Sequence, residues 1–184
     1  MDTKQVWSED FGDAYTARNR VDWIGRKPFW KKILDITGAR SVFEFGCNAS
    51  WNLSAIRRVY PDVQVQGYDI NNSALNQAED AGIDVYDDLD FIHNAELSFT
   101  SGVLIHVPPE DLKETMQILI TKSHDYVMSV EYEAEKEEEI EYQGRMGLLW
   151  RRPYGKLYEE MGLTLIASGT AEGFDRCQYD IFRK

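Results

Sequence analysis

Two carboxylates and a glycine turn are spaced as a nucleoside-containing ligand would require. Glu44, Gly46 and Asn48 fall within Ser41-Val42-Phe43-Glu44-Phe45-Gly46-Cys47-Asn48-Ala49-Ser50, and Asp69 follows 23 positions after Gly46 (69 − 46). Val42, Phe43 and Phe45 suit a strand covered on both faces. Gly46 lets the backbone bend and approach a ligand with no Cβ in the way. Asn48 is the next best residue for a left-handed conformation. A turn of this kind, passing straight into a helix, presents free backbone N–H groups at the carboxyl end of a strand. Glu44, just before it, can bind a cation or an amine. The next strand ends at Asp69, which is placed to accept hydrogen bonds from ribose hydroxyls. A dinucleotide turn needs glycines that Cys47, Asn48 and Ala49 do not supply, which suits a ligand with no pyrophosphate to cradle.

Proton chemistry has one well-placed candidate. His106 lies just beyond the carboxyl end of the fourth strand and is the best general base by type and position. A lone histidine can equally be a packed or solvent-facing one. His93 and His124 have no supporting context and are expected at the surface. Tyr15, Arg18 and Asn19 precede the sheet and can fold over the site. Arg18 either meets a ligand carboxylate or forms a surface salt bridge. Arg145, Arg151 and Arg152 cluster beyond the fifth strand. The planar guanidinium pairs with carboxylate or phosphate, so they either hold an anionic second substrate or form the solvated turn before the helix at Pro153. The acid-dense stretch from Glu131 to Glu141 reads as a solvated face or lid. No cluster has metal-ligand spacing, so no metal is expected. Cys47 reads as a small packing residue whose thiol lies near the ligand.

These groups need a frame. Residues from about Trp7 to Thr37 read as helical, broken near Gly25 and Pro28. Strands follow at 41–46, 63–69, 83–86, 97–100 and 126–130. Helices lie between them at 51–60, at Ala74–Ala81 (capped by Asn71-Asn72-Ser73 and closed by Gly82) and from Pro108 to about Lys122. Pro153–Met161 is a further helix. Leu163–Ser168 and Gln178–Phe182 are final strands joined by a short turn, which permits an antiparallel pair. Strands alternating with helices give a parallel sheet wound with right-handed crossovers.

Composition narrows the partners. A chain of 184 residues reads as one domain with room for a real core. A net charge of −12 repels a phosphate backbone, so no nucleic-acid partner is expected. No apolar run approaches the ~20 residues that cross a bilayer, and Met1-Asp2-Thr3-Lys4-Gln5 opens no signal segment. Cys47 and Cys177, far apart and without a partner motif, fit a reducing cytoplasm.

The chain resembles the class I S-adenosylmethionine-dependent methyltransferases. Glu44-Phe45-Gly46-Cys47-Asn48, Tyr68-Asp69 and Ser101-Gly102-Val103-Leu104-Ile105-His106-Val107 carry the likeness. More narrowly, it is similar to the methylases associated with pseudaminic acid biosynthesis. That likeness rests on Asp10-Phe11-Gly12-Asp13-Ala14-Tyr15-Thr16-Ala17-Arg18-Asn19, on Asn52-Leu53 after the turn, on Gly102 to His106, and on Glu131-Tyr132. It spans nearly the whole chain. Ser50 departs from it, standing where that family usually has a third glycine; a serine can still cap the helix.

The resemblance implies an α/β, Rossmann-like fold. Its seven-stranded, mostly parallel sheet would have a C-terminal antiparallel strand and an N-terminal helical extension. Residues 1–184 would form a single domain, with 1–37 as helical extension or lid and 38–184 as core. The implied cofactor is S-adenosylmethionine, with Glu44 near its methionyl ammonium and Tyr15, Arg18, Gly46, Asn48 and Asp69 around it. Ile70, Asp88 and Ser101 would complete that site. The implied activity is methyl transfer to a small polar acceptor related to sugars or sugar acids, with His106 catalytic and Arg145 and Arg151 binding the acceptor. A protein that binds S-adenosylmethionine without transferring its methyl, as a regulatory or partner subunit, would share the same turn. Oligomeric state stays open.

Overall fold

The computed structural model describes residues 2–19 and 21–184. Two short helices, α1 (Thr3–Ser8) and α2 (Asp10–Arg18), precede α3 (Lys27–Thr37). The helical preamble thus starts before Trp7, and among the described residues its break covers 19 and 21–26. Gly12 allows α1 to fold back on α2, because a Cβ there would sit 1.8 Å from the carbonyl oxygen of Trp7. Pro28 lies in the first turn of α3, where a missing N–H is harmless. Gly38 closes that helix at φ 67° and donates its N–H to Leu34.

The core then runs β1 (Ser41–Phe45), α4 (Trp51–Val59), β2 (Gln64–Tyr68), α5 (Asn72–Asp80), β3 (Asp84–Tyr86), β4 (Ala95–Ser101), α6 (Pro109–Lys122) and β5 (Ser123–Glu131). A small hairpin follows, β6 (Glu138–Glu139) and β7 (Trp150–Arg151), then α7 (Tyr154–Glu160), β8 (Thr164–Thr170) and β9 (Gln178–Arg183). Seven strands form one sheet in the order β3-β2-β1-β4-β5-β9-β8. The first five pair in parallel, and β9 runs antiparallel to both its neighbours. This is the α/β architecture that the alternation of elements implies. The β6–β7 hairpin escapes the sequence because two-residue strands carry no alternation to read.

Successive strand residues face opposite sides of the sheet. Val42, Leu97, Phe99, Met128 and Ile181 pack with α3, α4 and α5 on one face. Val127 and Phe182 pack with α6 and α7 on the other. The chain leaves β1 toward β2 on one side, and β4 lies on the other, so a crevice opens at the carboxyl ends of β1 and β4. Asn71 caps α5 as expected, accepting from the N–H of Ala74 at 2.8 Å. Ser50 does not cap α4. It sits in the left-handed region (φ 59°), its hydroxyl buried without a partner, whereas a capping side chain needs an extended backbone to reach back. Among the described residues no helix is long and apolar enough to cross a membrane.

Candidate functional site

Gly46 (φ 74°) and Asn48 (φ 46°) adopt the left-handed conformations their types suggested. A Cβ on Gly46 would stand 2.5 Å from a methyl of Val103, so the turn after β1 is pressed against the loop after β4. The turn's N–H groups, however, are not free. Those of Gly46 and Cys47 donate to the carbonyl of Tyr68 at 2.7 and 3.0 Å. Asn48 donates to Asp69 Oδ2 at 2.7 Å, Ala49 to the Asn48 side chain at 2.8 Å and Ser50 to the carbonyl of Cys47 at 2.9 Å. The expected amide cradle is therefore spent on holding the loop itself.

Two buried carboxyls remain beside it. Asp69, whose bond from Asn48 ties the ends of β1 and β2 together, also accepts from the N–H of Asn71 at 2.9 Å. Burial raises its pKa, and these backbone bonds resist the rise. Glu44 is 1% exposed. Its Oε1 accepts from Asn52 at 2.7 Å, while Oε2 is buried with no partner. Desolvation pushes the Glu44 carboxyl up to about 8, against the pull of Asn52 and Arg26. Arg26 donates to the same Asn52 side chain at 2.9 Å and lies over the Phe174 ring at 3.9 Å. Nothing local in the sequence marked Arg26, because it sits in the break between α2 and α3.

These groups line one end of a cavity of about 550 Å³ that runs to His106. The His106 ring is partly buried. Its Nδ1 lies 2.6 Å from the carbonyl of Leu148. A carbonyl can only accept, so Nδ1 carries the proton and Nε2 keeps its lone pair. Desolvation lowers the His106 pKa to about 4. Trp7 and Tyr142 flank the ring at 4.4 and 5.2 Å between centroids. Residues of α1 and α2, Trp7 and Tyr15 among them, line the cavity on this side. Thr16 accepts from the Asn48 side chain and Asp13 from the Asn71 side chain, both at 2.9 Å. Lys4 meets Asp111 of α6 at 3.4 Å.

Of the residues singled out in the sequence, Glu44, Gly46, Asn48 and Asp69 line this cavity with His106. Tyr15, Ile70 and Ser101 line it as well. Four others do not. Arg18 lies over the rings of Phe11 and Tyr15 at 5.6 and 5.5 Å. Asp88 caps a short 3-10 turn by accepting from the N–H of Asp90. Arg145 also lies over the Phe11 ring, at 5.4 Å. Arg151 is spent on Glu138 and the carbonyl of Glu133. Asp88 and Arg18 are engaged by near neighbours in the chain, Arg145 and Arg151 by residues far from them in sequence. Glu131 is a further correction: it is 1% exposed and takes backbone hydrogen bonds, far from a solvated face. His93 and His124 are exposed, as expected. Cys47 and Cys177 are free and buried, and both line the cavity. Among the described residues no cluster could hold a metal.

No protein-family model matches the chain, and no curated protein matches its sequence. Solved structures do match. Magnesium protoporphyrin IX methyltransferase from Synechocystis, with bound SAH, aligns at a TM-score of 0.72 and 12% identity over 98% of this chain and 97% of that one. The 1,6-didemethyltoxoflavin-N1-methyltransferase of Burkholderia thailandensis, with S-adenosylhomocysteine, aligns at 0.70 and 14% identity, covering 98% and 84%. The sugar N-methyltransferase KedS8 from Streptoalloteichus aligns at 0.69 and 12%, covering 96% and 93%. The fold of this chain is that of the class I S-adenosylmethionine-dependent methyltransferases.

Proposed function

We propose that the protein transfers the methyl group of S-adenosylmethionine to a hydroxyl of a small, polar, sugar-like acceptor. The observation that carries this reading is one cavity joining two buried carboxyls at the ends of β1 and β2 to a neutral histidine with a bare Nε2. The residues fit the cofactor. The partnerless Oε2 of Glu44 suits an ammonium, and Arg26, not Arg18, offers a guanidinium for the methionine carboxylate. Asp69 has lone pairs left for ribose hydroxyls. The cofactor supplies a methyl already activated on a sulfonium. The protein then needs to hold the acceptor oxygen in line, which lowers a barrier by several kcal/mol and in favourable cases ~7 or more. His106 Nε2 would take the hydroxyl proton as the acceptor oxygen bonds to the methyl carbon and the carbon–sulfur bond breaks, its electron pair leaving with the sulfur of the demethylated cofactor.

The charge of the cavity refines the acceptor. Among the described residues its cationic side chains are Lys4 and Arg26, against Glu44, Asp69, Asp111 and Asp175. Lys4 is paired with Asp111. That balance favours an uncharged polyhydroxyl compound over a sugar acid, the acceptor class that the pseudaminic-acid-associated methylases suggest. Calorimetry tests the cofactor, with S-adenosylmethionine expected to bind and NAD poorly; tighter binding of NAD would overturn the reading. Labelled-methyl transfer into metabolite extract tests the chemistry. Cofactor binding with no transfer to any component would leave a binding protein without transferase activity.

Glu44 also predicts proton release on cofactor binding. With a pKa of about 8 it is mostly protonated at neutral pH in the free protein. An arriving ammonium favours its ionised form. Affinity should therefore rise with pH between about 6 and 7.5, approaching tenfold per pH unit for one fully coupled proton. Calorimetry in buffers of different ionisation enthalpy measures the release directly. Zero released protons would place the ammonium elsewhere.

A further inference from the structure

His106 stands on a loop, and loops are ordinarily the more mobile parts of a fold. This loop is gripped from outside at both ends. The Glu131 carboxylate, at the end of β5, accepts three consecutive backbone N–H groups. Val103 and Leu104 donate to Oε1 at 3.1 Å each, and Ile105 donates to Oε2 at 3.4 Å. From the hairpin, Arg152 Nη1 donates to the carbonyls of Leu104 at 3.1 Å and Val107 at 2.9 Å. Arg152 is itself 1% exposed and is steered by Glu137, whose Oε2 accepts from its Nε at 2.6 Å. The Leu148 carbonyl fixes the imidazole ring from a third side.

Neither Glu131 nor Arg152 lines the cavity. Both are buried ionisable side chains, Glu131 pushed up to about 7 by burial, and replacing a whole buried ion pair by apolar groups of similar volume is often neutral or better. What they do is immobilise five residues of backbone whose one chemically active side chain is His106. A general base must sit within hydrogen-bond reach of its proton, and a displacement of about 1 Å can cost a hundredfold in rate.

We infer that Glu131 and Arg152 are positioning residues, which clamp the 103–107 turn from both ends so that His106 Nε2 is held at the acceptor hydroxyl. This rests on the reading of His106 as the base. Trp7, Tyr142 and the Lys4–Asp111 pair face the same end of the cavity. In Glu131→Gln one acceptor oxygen becomes a donor turned toward an N–H, so the turn loosens without loss of volume.

The experiment is a double-mutant cycle with a titration beside it. Glu131→Gln should lower kcat ten- to a hundredfold and leave the dissociation constant for S-adenosylmethionine within twofold. In a His106→Ala background the same change should lower kcat no further, since the group it positions is gone. Arg152→Lys, whose single nitrogen can still reach one carbonyl, should lose less than Arg152→Gln. Independently of turnover, NMR of the chain's three histidines follows the His106 ring. In the wild type it stays neutral to about pH 4; in Glu131→Gln, admitting water, its pKa should move up toward the ordinary value. Additive losses in the cycle, an unchanged kcat, or an unmoved titration in a folded Glu131→Gln variant would each overturn the clamp. If His106→Ala alone leaves kcat intact, the base assignment fails first. The titration then still decides whether the clamp holds the ring.

Discussion

Exchanging His106 for alanine is expected to lower kcat by about 10²–10⁴ while the affinity for S-adenosylmethionine is unchanged. Among the described residues, the imidazole is the one neutral base in the cavity with an uncommitted lone pair, because its other nitrogen is hydrogen-bonded to the carbonyl of Leu148. Its depressed pKa has a consequence for pH. A base must be deprotonated to act, and a group titrating near 4 is deprotonated throughout the neutral range. Activity should thus be flat with respect to His106 from about pH 6 upward and fall only in acid. Removal of the ring also opens space beside Trp7 and Tyr142, so thermal unfolding must be compared alongside. An inactive variant that has also lost the cofactor would make His106 structural. An unchanged kcat would remove it from the mechanism and leave desolvation of an amine acceptor as the better account.

Replacing Asp69 by alanine should act twice. The N–H groups of Asn48 and Asn71 both end on this carboxylate, and a buried donor left unpaired costs about 1–3 kcal/mol. The free protein should therefore unfold at lower urea, by a few kcal/mol in all. The cofactor should lose a further 1–3 kcal/mol of binding with the charge-assisted partner for its ribose. Asp69→Asn separates the two effects. The amide keeps one acceptor oxygen for one of the loop amides, so much of the stability survives, but an NH2 donor now stands where a carboxylate oxygen stood. Calorimetry and urea unfolding on both variants read the split. An Asp69→Asn protein that binds S-adenosylmethionine as well as the wild type would show that the carboxylate serves the loop alone.

The features legible in the sequence were those fixed by local backbone chemistry. A positive φ at Gly46 and Asn48, the Asn71 cap and an apolar β1 between polar turns are each decided within a few residues of themselves. Their order alone gave the alternating frame and placed Glu44 and Asp69 at adjacent strand ends; in the β1–β2 register Glu44 pairs with Gly67, two residues short of Asp69. The destinations of long side chains were not legible, because they depend on contacts made across the fold. Glu131 opens an acid-rich run that reads as solvated, yet it ends a central strand and is enclosed by the loop after β4. Arg18 and Arg26 stand eight positions apart in the same preamble (26 − 18). Which of them enters the cavity was settled by Asn52 and Phe174, partners 26 and 148 positions beyond Arg26 (52 − 26; 174 − 26). The turn after β1 looked like an amide cradle until the carbonyl of Tyr68 and the carboxylate of Asp69 came within reach of its N–H groups. The sequence by itself determined which backbone could bend and where the carboxylates would stand. Only the packed structure decided which charges face the cavity, since burial and pairing belong to neighbours that the chain brings together by folding.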